Sequence, residues 1–219
     1  MLDDREQSVL ELLVREYIKT AEPISSEKIA RRVRNVSSAT IRNIFSNLTE
    51  EDYIEQPHVS GGRIPRPRAY RFLVDRITGQ EETSTPLQKL THPERSRTVQ
   101  EEIARRFRVV SCFGELMPFG FREMFEEPEF AGQDLVKEFG RFLDGFEEFR
   151  DDYARSIAPD SFRVLIGEEN TIQPARHISI IFGKGEEYGF FFIAGPMRMH
   201  YEEIIPIVKI WQKTVNRMI

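Results

Sequence analysis

The side chains that most often carry out catalysis are few and scattered in this sequence of 219 residues. Cys112, the single cysteine, lies in the apolar run 109–113 and is interpreted as a core thiol. The adjacent carboxylates Glu168 and Glu169 follow Gly167 in a predicted turn, where such pairs are usually solvated. The histidines are His58, His92, His177 and His200. They form no helical i, i+4 pair and no metal-ligand spacing, and no nucleophile elbow or phosphate-binding loop occurs. The sequence therefore predicts no catalytic residue, no metal and no cofactor.

A different chemistry is available to a short polar run that begins at residue 37. Forked side chains read base edges in the major groove: Arg42 can donate two hydrogen bonds to guanine, and Asn43 can both donate to and accept from adenine. Hydroxyl groups at the start of the same helix suit phosphates or bases. The DNA-binding candidates in this run are Ser37, Ser38, Thr40, Arg42, Asn43 and Ser46. Taken singly, each could equally be a helix cap or a surface side chain. Together with the hairpin that follows them in the chain, they favour DNA binding.

A second group of candidates surrounds the turn-rich segment 57–62. Its glycines are typical of a flexible hairpin tip, and the long cation Arg63 beside the tip can lie along a phosphate backbone or probe the minor groove. His58 can donate to a phosphate, although a surface histidine without a function is the slightly favoured interpretation. The candidates in this group are His58, Ser60, Arg63, Arg66 and Arg68.

The distribution of charge supports DNA as a partner although the net charge is −5. Residues 28–76 contain ten Lys and Arg against five Asp and Glu, whereas residues 81–219 contain 18 against 24. A polyanion responds to the face that it meets rather than to the sum over the chain. The basic excess carries little weight alone, because most such excesses are only solvated surface.

The elements that would position these side chains form a winged helix-turn-helix. They are predicted as helices at 4–19, about 26–34 and about 38–51, strands at 53–56 and 63–64, and a further helix from Pro67. Ser25 and Ser37 can cap the second and third helices. The apolar stripe of the third helix is Ile41, Ile44, Phe45 and Leu48. Because these apolar residues share one side of the helix, the polar candidates lie on the opposite side.

The second half of the chain has another composition and predicts an α+β domain. Residues 78–96 are polar, lack Phe, Tyr and Trp, and are predicted to be a linker, and 15 of the 17 phenylalanines follow them. An aromatic seam with spacings of four and three favours a helix packed on its own sheet, with a coiled coil as the less favoured alternative. Its members are Leu135, Phe139, Phe142, Phe146, Phe149 and Tyr153. Strands are predicted at 162–166, 178–182 and 188–194, and a final helix through 204–215. The predicted domains are 1–77 and 97–219.

The overall composition excludes several protein classes. A chain with 40% hydrophobic and 31% charged residues is typical of a soluble globular protein. No apolar run approaches the roughly 20 residues that cross a bilayer, and the charged start, 1–6, does not resemble a signal peptide. The sequence therefore predicts a cytoplasmic protein without membrane contact.

Several runs in the first part of the sequence match one known family in a fixed order. They are 16–24, 36–43, 53–58, 60–65 and 70–72. They resemble the HrcA family of heat-inducible transcription repressors. Downstream, the runs 127–131, 166–170 and 195–201 look like the GAF-like sensor domain of that family. The resemblance implies an N-terminal winged helix-turn-helix followed by a reduced GAF-like α+β regulatory and dimerisation domain.

The resemblance also implies partners and a mechanism. Members of the family are dimeric repressors that bind an inverted-repeat operator, called CIRCE, upstream of chaperone genes. The chaperonin GroEL promotes the active repressor, and repression lapses when heat-damaged proteins occupy the chaperonin. On this basis we expect double-stranded DNA, a second copy of the chain and GroEL as partners.

The sequence departs from the family pattern in three places. Typical members are longer, and the shortfall lies between about Arg150 and Phe162, where the family places part of its GAF-like core and an inserted dimerisation domain. Arg66-Pro67 replaces a more usual Thr-Asp, which exchanges a side-chain cap for positive charge. Ile44 stands where an acidic residue is common. These departures bear on the dimer interface and on operator preference.

Two other functions stay open from the sequence. One is a GAF-like ligand- or protein-binding module whose winged helix does not read a specific operator. In that case a small molecule should stabilise the protein, and the protein should have no affinity for an operator. The other is an enzyme with an unrecognised site, which predicts turnover that is lost when Glu168 or His200 is changed.

Overall fold

The computed structural model describes residues 2–33, 36–58, 61–79, 96–114, 117–159, 161–171, 175–185 and 189–213. The chain divides into two compact units, Met1–Arg76 and Ile77–Ile219. Helices and antiparallel strands occur in both, so the fold is α+β, as predicted. Most of the predicted linker, residues 80–95, lies outside the described residues, as does Ser60. Among the described residues no helix is long and apolar enough to cross a bilayer, and no group of His, Cys, Asp and Glu could hold a metal ion.

The first unit has the element order of a winged helix-turn-helix. Its elements are α1 (Asp4–Thr20), α2 (Ser26–Ala30), α3 (Ser38–Glu50), β1 (Ile54–Glu55), β2 (Ile64–Pro65) and α4 (Pro67–Thr78). At the start of α1 the N–H of Glu6 donates to Asp3 Oδ1 at 2.7 Å, and the N–H of Asp3 donates to Glu6 Oε2 at 3.0 Å. The helix ends where Ala21 adopts a left-handed backbone with φ 52°. These local signals explain why α1 agrees with its predicted bounds.

Helix α2 is shorter than predicted. Ser25 caps it as expected, since its hydroxyl accepts a backbone N–H of the first turn at 3.2 Å. The helix ends at Ala30 instead of near residue 34. The Ile29 carbonyl accepts both the N–H of Arg32, at 2.9 Å, and the N–H of Val33, at 3.1 Å, a shared acceptor of the kind that is common at helix ends. Val33, just beyond this end, is half-buried.

A buried carboxylate joins α1 to α2. Glu16 is 3% exposed, and its carboxylate lies 2.8 Å from Arg32 Nη1 and 3.5 Å from Lys28 Nζ. Both cations are partly exposed, so they compensate the buried charge without being buried themselves. Buried apolar side chains complete the core of this unit and include Leu10, Leu13, Ile41, Leu48 and Leu73.

The wing hairpin begins its return strand one residue later than predicted. Strands β1 and β2 pair antiparallel, with Ile54 opposite Pro65. The predicted first residue of the return strand, Arg63, pairs with Ile24 instead, through two backbone hydrogen bonds of 2.8 Å. This pairing ties the wing to the segment before α2. It is a long-range contact, and strand propensity alone does not predict it.

The second unit contains a four-stranded antiparallel sheet of order β3-β6-β5-β4. The strands are β3 (Val110–Phe113), β4 (Ser161–Ile166), β5 (Ile178–Gly185) and β6 (Gly189–Pro196). The helices are α5 (Ser96–Phe107), α6 (Phe121–Phe125), α7 (Gln133–Asp144), α8 (Phe146–Ser156) and α9 (Tyr201–Lys213). The sequence predicts β4, β5 and β6 but misses β3. All four residues of β3 are buried, and an apolar run this short cannot be distinguished from a buried helix segment by its pattern. Cys112 lies within it as a buried thiol, as predicted.

The aromatic seam that predicts one helix is divided between α7 and α8. The break falls at Gly145 (φ −95°, ψ 9°), where a Cβ would lie 2.8 Å from an aromatic ring. The seam still faces the sheet on both sides of the break. The ring of Phe142 stacks 5.5 Å from that of Phe192, and the ring of Tyr153 lies 4.4 Å from that of Phe182. The packing against a sheet is confirmed, and the continuous helix is wrong.

Candidate nucleic-acid interface

The exposed side of α3 carries the predicted base-reading residues. The four apolar residues of the predicted stripe are all buried, namely Ile41, Ile44, Phe45 and Leu48. Because an α-helix has 3.6 residues per turn, the side chains on its other side point away from the core. Arg42, Asn43 and Ser46 are accordingly exposed, and Ser38 and Thr40 are half-buried. The burial of the stripe is confirmed, and DNA contact by the other side stays a prediction.

Ser37 begins α3 as its N-cap. Its hydroxyl accepts the backbone N–H of Thr40 at 3.1 Å and lies 2.9 Å from the Thr40 hydroxyl. The first turn has no acidic residue, so no carboxylate there neutralises the positive end of the helix dipole. The N-terminus of this 13-residue helix therefore favours an anion such as a phosphate.

Arg42 is held by a carboxylate from α2. Its Nη2 lies 2.7 Å from Glu27 Oε1, and the two side chains are 65% and 50% exposed. The hydrogen bond from Arg42 holds the pKa of the Glu27 carboxyl below its ordinary value. Glu27 precedes Arg42 by 15 residues. No local pattern connects residues that far apart, so the sequence does not point to Glu27 as a site residue.

A cleft of about 360 Å³ lies between α2, α3 and the wing. Its lining includes the polar residues Ser25, Glu27, Arg42, Gln56 and Arg63. Two arginines and one carboxylate in the lining favour an anionic ligand. The cleft also brings together one residue from each of the two groups that the sequence singles out, Arg42 from the helix and Arg63 from the hairpin.

Arg63 has a fixed place at the base of the wing. Its backbone is bonded to Ile24, and its buried Nε has no hydrogen-bond partner among the described residues. Gly62 permits this close approach, because a Cβ at that position would lie 2.6 Å from the Ile24 carbonyl oxygen. His58 is exposed at the turn, and its carbonyl accepts the N–H of Gly61 at 2.8 Å. The wing therefore presents one guanidinium on an anchored backbone.

Arg66 and Arg68 have partners within the first unit. Arg66 Nη1 lies 2.9 Å from Asp52 Oδ1. Arg68 lies over the Tyr53 ring, 4.3 Å from its centroid, and donates to the Glu51 carbonyl oxygen. These contacts attach the start of α4 to the turn between α3 and β1. Both side chains are still partly exposed, and their contact with DNA stays a prediction.

The other candidates for chemistry are engaged in local contacts of the second unit. The Glu169 carboxylate accepts the N–H of Ile166 at 2.9 Å, which caps the turn predicted there. His177 Nδ1 lies 2.8 Å from a Glu138 carboxylate oxygen. Burial lowers the pKa of His200. His92 lies outside the described residues.

Two family models match this chain. The model described as "Winged helix-turn-helix transcription repressor, HrcA DNA-binding" matches residues 1–78. The model described as "HrcA protein C terminal domain" matches residues 67–205, which is more than half of the chain. The chain belongs to the HrcA family. This confirms the resemblance, and HrcA is a family of transcription repressors, not of enzymes.

Curated relatives of this HrcA-family chain carry the name "Heat-inducible transcription repressor HrcA". The relative from Pelotomaculum thermopropionicum is 46% identical over 101 residues, which are 46% of this chain and 29% of that protein. The relative from Caldanaerobacter subterraneus subsp. tengcongensis is 53% identical over 77 residues, which are 35% of this chain and 22% of that protein. The match thus spans less than a third of the length of these relatives.

A solved structure has the same fold as this HrcA-family chain. It is described as a hypothetical protein at 2.2 Å resolution, and it matches with a TM-score of 0.77. The match covers 99% of this chain and 98% of the other at 17% sequence identity. At that identity the match shows the fold alone.

Proposed function

We propose that this HrcA-family chain is a heat-inducible transcription repressor that binds a CIRCE-type inverted-repeat operator of chaperone genes as a homodimer. The proposal rests chiefly on the exposed polar side of α3, which adjoins a cleft lined by two arginines within the region that matches the HrcA DNA-binding model. The name of the curated relatives supports the heat-inducible part.

In this proposal α3 is the recognition helix in the major groove. Arg42 donates two hydrogen bonds to a guanine, and Asn43 bonds to an adenine. The hydroxyl groups at the helix start, together with Ser46, contact phosphates or base edges. The residues proposed to contact the DNA backbone are His58, Ser60, Arg63, Arg66 and Arg68. Backbone contacts fix the register of the protein on the duplex, and base contacts select the sequence.

A dimer is proposed because one winged helix buries little surface on DNA. A single small module buries roughly 600–1,000 Å², and two modules on half-sites about 34 Å apart gain specificity from both. We assign DNA binding to residues 1–77, a linker role to 78–96, and GAF-like regulation and dimerisation to 97–219. The dimer then has the same two-fold symmetry as the inverted repeat.

The regulatory part of the proposal involves the chaperonin GroEL. GroEL promotes the DNA-binding form of the repressor. When heat-damaged proteins occupy GroEL, the repressor leaves the operator. Family membership supports this part. A repressor acts where the chromosome is, so we place the protein in the cytoplasm.

The proposal is tested by fluorescence-anisotropy titration of the whole chain against two duplexes. One carries a CIRCE-type inverted repeat, and the other is a scrambled duplex of equal length, both at about 0.15 M salt. We expect binding to the inverted repeat to be at least about a thousandfold tighter. Equal affinities that appear only at low salt would reject the operator and leave a general electrostatic interaction.

A further inference from the structure

An acidic residue lies in the cleft that would face the DNA polyanion. Glu27 is half exposed, and its carboxylate contributes to the same cleft as the two arginines. A carboxylate at this position repels phosphates and therefore weakens binding to every duplex. A favourable role for Glu27 has to come from its contact with Arg42.

The contact between the two side chains leaves Arg42 able to read a base. A guanidinium group carries five N–H donors in a rigid, planar fork. One of the two Nη2 hydrogens suffices for Glu27 Oε1 at 2.7 Å. The remaining donors include an adjacent pair, which is what the O6 and N7 atoms of guanine require. The carboxylate thus restricts the orientation of the guanidinium without using up its donors.

Glu27 is itself held by a fixed element. It lies in the first turn of α2, behind the Ser25 cap. The buried Glu16 of α1 contacts Lys28 within that short helix and Arg32 two residues after its end. The carboxylate is therefore positioned by the fold before DNA arrives. An exposed arginine without such a partner would have to lose the freedom of its side-chain dihedrals on binding.

We propose that Glu27 is a positioning residue that sets the base specificity of Arg42. The proposal rests on the DNA-binding function proposed above. Glu27 orients the guanidinium toward one base pair, and its negative charge lowers the affinity for every duplex. The carboxylate thus makes two contributions: its contact with Arg42 discriminates between bases, and its charge weakens binding to all duplexes alike.

Two substitutions separate these contributions. Glu27→Gln removes the charge and should raise the affinity for a scrambled duplex about two- to fivefold. The ratio of affinities for the right and the wrong base at one position of each half-site should fall roughly five- to tenfold. Glu27→Asp keeps the charge but withdraws the carboxylate by one methylene. It should lose similar discrimination and leave the affinity for the scrambled duplex unchanged. Glu50→Gln, which removes the same charge from the last residue of α3, is the matched control and should keep full discrimination.

The experiment is anisotropy titration of the whole chain against the inverted repeat, its single-base-pair variants and the scrambled duplex. Arg42→Ala completes a double-mutant cycle with Glu27→Gln, because a residue that acts through Arg42 has no further effect on discrimination once Arg42 is gone. Thermal unfolding of each variant checks the fold.

The outcomes are distinguishable. The proposal is supported if both Glu27 variants lose discrimination between base pairs and if changing Glu27 causes no further loss once Arg42 is replaced by Ala. The proposal is overturned if both variants keep the discrimination of the unchanged chain. It is also overturned if changing Glu27 lowers discrimination as much in the Arg42→Ala variant as in the unchanged chain. If the unchanged chain binds the inverted repeat and the scrambled duplex alike, the proposed function itself is rejected, and the role of Glu27 is rejected with it.

Discussion

At the scale of single residues, the two arginines of the cleft differ in how the protein holds them. Arg42 is 65% exposed on a helix face and has a carboxylate partner on α2. Arg63 is anchored through its backbone to Ile24, and its buried Nε has no partner among the described residues. An oriented fork on a helix suits a base edge, and a cation on a wing suits a phosphate. The two substitutions should therefore have different signatures.

Replacing Arg42 should weaken operator binding selectively. Arg42→Ala removes the bidentate donor, so we expect a loss of about 1–3 kcal/mol and a relaxed preference at one base pair of each half-site. The measurement is titration of the operator and its single-base-pair variants. Arg122→Ala, which removes an equal charge from an 88% exposed side chain of the second unit, is the control and should bind like the unchanged chain. An equal loss on operator and scrambled DNA would contradict direct readout.

Replacing Arg63 should weaken binding to all sequences alike. Alanine keeps the backbone N–H and carbonyl that pair with Ile24, so the wing anchor survives in Arg63→Ala. The loss of one phosphate contact should reduce the slope of log affinity against log salt by about one unit. Titrations of operator and scrambled duplex at several salt concentrations measure this slope. An unchanged slope would remove Arg63 from the phosphate contacts.

At the scale of the elements, α2 is too short to be stable alone and depends on its attachment to α1. A helix of five residues makes few internal hydrogen bonds. The buried carboxylate of Glu16, with Lys28 and Arg32 around it, supplies a connection. The same attachment positions Glu27, so the stability of this junction and the proposed reading of DNA are coupled.

Glu16→Gln should lower the free energy of unfolding by about 1–2 kcal/mol. The amide keeps the volume of the side chain but loses the charge that two cations face. Because Lys28 and Arg32 are 36% and 52% exposed, water can hydrate them, and the loss stays below that of a fully buried ion pair. Denaturant unfolding measures it. Glu22→Gln, at an exposed position after α1, should change stability by less than about 0.5 kcal/mol. Equal effects of the two variants would contradict the structural role of Glu16.

The wing depends on the absence of a side chain at Gly62. A Cβ there would lie 2.6 Å from the Ile24 carbonyl carbon and oxygen, and backbone atoms cannot easily move aside. We expect Gly62→Ala to lower the free energy of unfolding by about 1–3 kcal/mol and to weaken binding to all duplexes. Gly61→Ala is the matched control, since its Cβ would approach the His58 carbonyl oxygen only to 3.2 Å. Denaturant unfolding that ranks Gly61→Ala as the more damaging change would contradict this account of the wing.

At the scale of the whole molecule, the proposed dimer makes a geometric prediction about the operator. Insertion of five base pairs between the half-sites turns one of them by about half a helical turn. A dimer that holds its two winged helices in a set relation cannot then engage both half-sites. We expect the affinity to fall to that of a duplex with a single half-site, measured by anisotropy beside both parent duplexes. Unchanged affinity would mean that each chain binds its half-site independently.

Part of this fold depends on residues that are close together in the sequence, and that part could be predicted. The caps at Ser25 and Ser37 and the apolar period of α3 involve residues within a few positions of one another, and the structure confirms them. The aromatic spacing of the second unit likewise predicts packing on a sheet. It does not reveal the break at Gly145, because the seam faces the sheet on both sides of the break. Strand β3 is missed because an apolar run of four residues does not distinguish a buried strand from a buried helix segment.

The sequence by itself determined the order of the winged helix-turn-helix and the exposure of Arg42 and Asn43, because caps and helical periodicity act between near neighbours. Only the tertiary structure decided that α2 ends at Ala30, that Arg63 pairs with Ile24, and that a carboxylate from α2 holds the guanidinium of Arg42. The partners in the last two contacts are far apart along the chain. Their proximity depends on how α2, α3 and the wing pack together, and no local pattern records that packing.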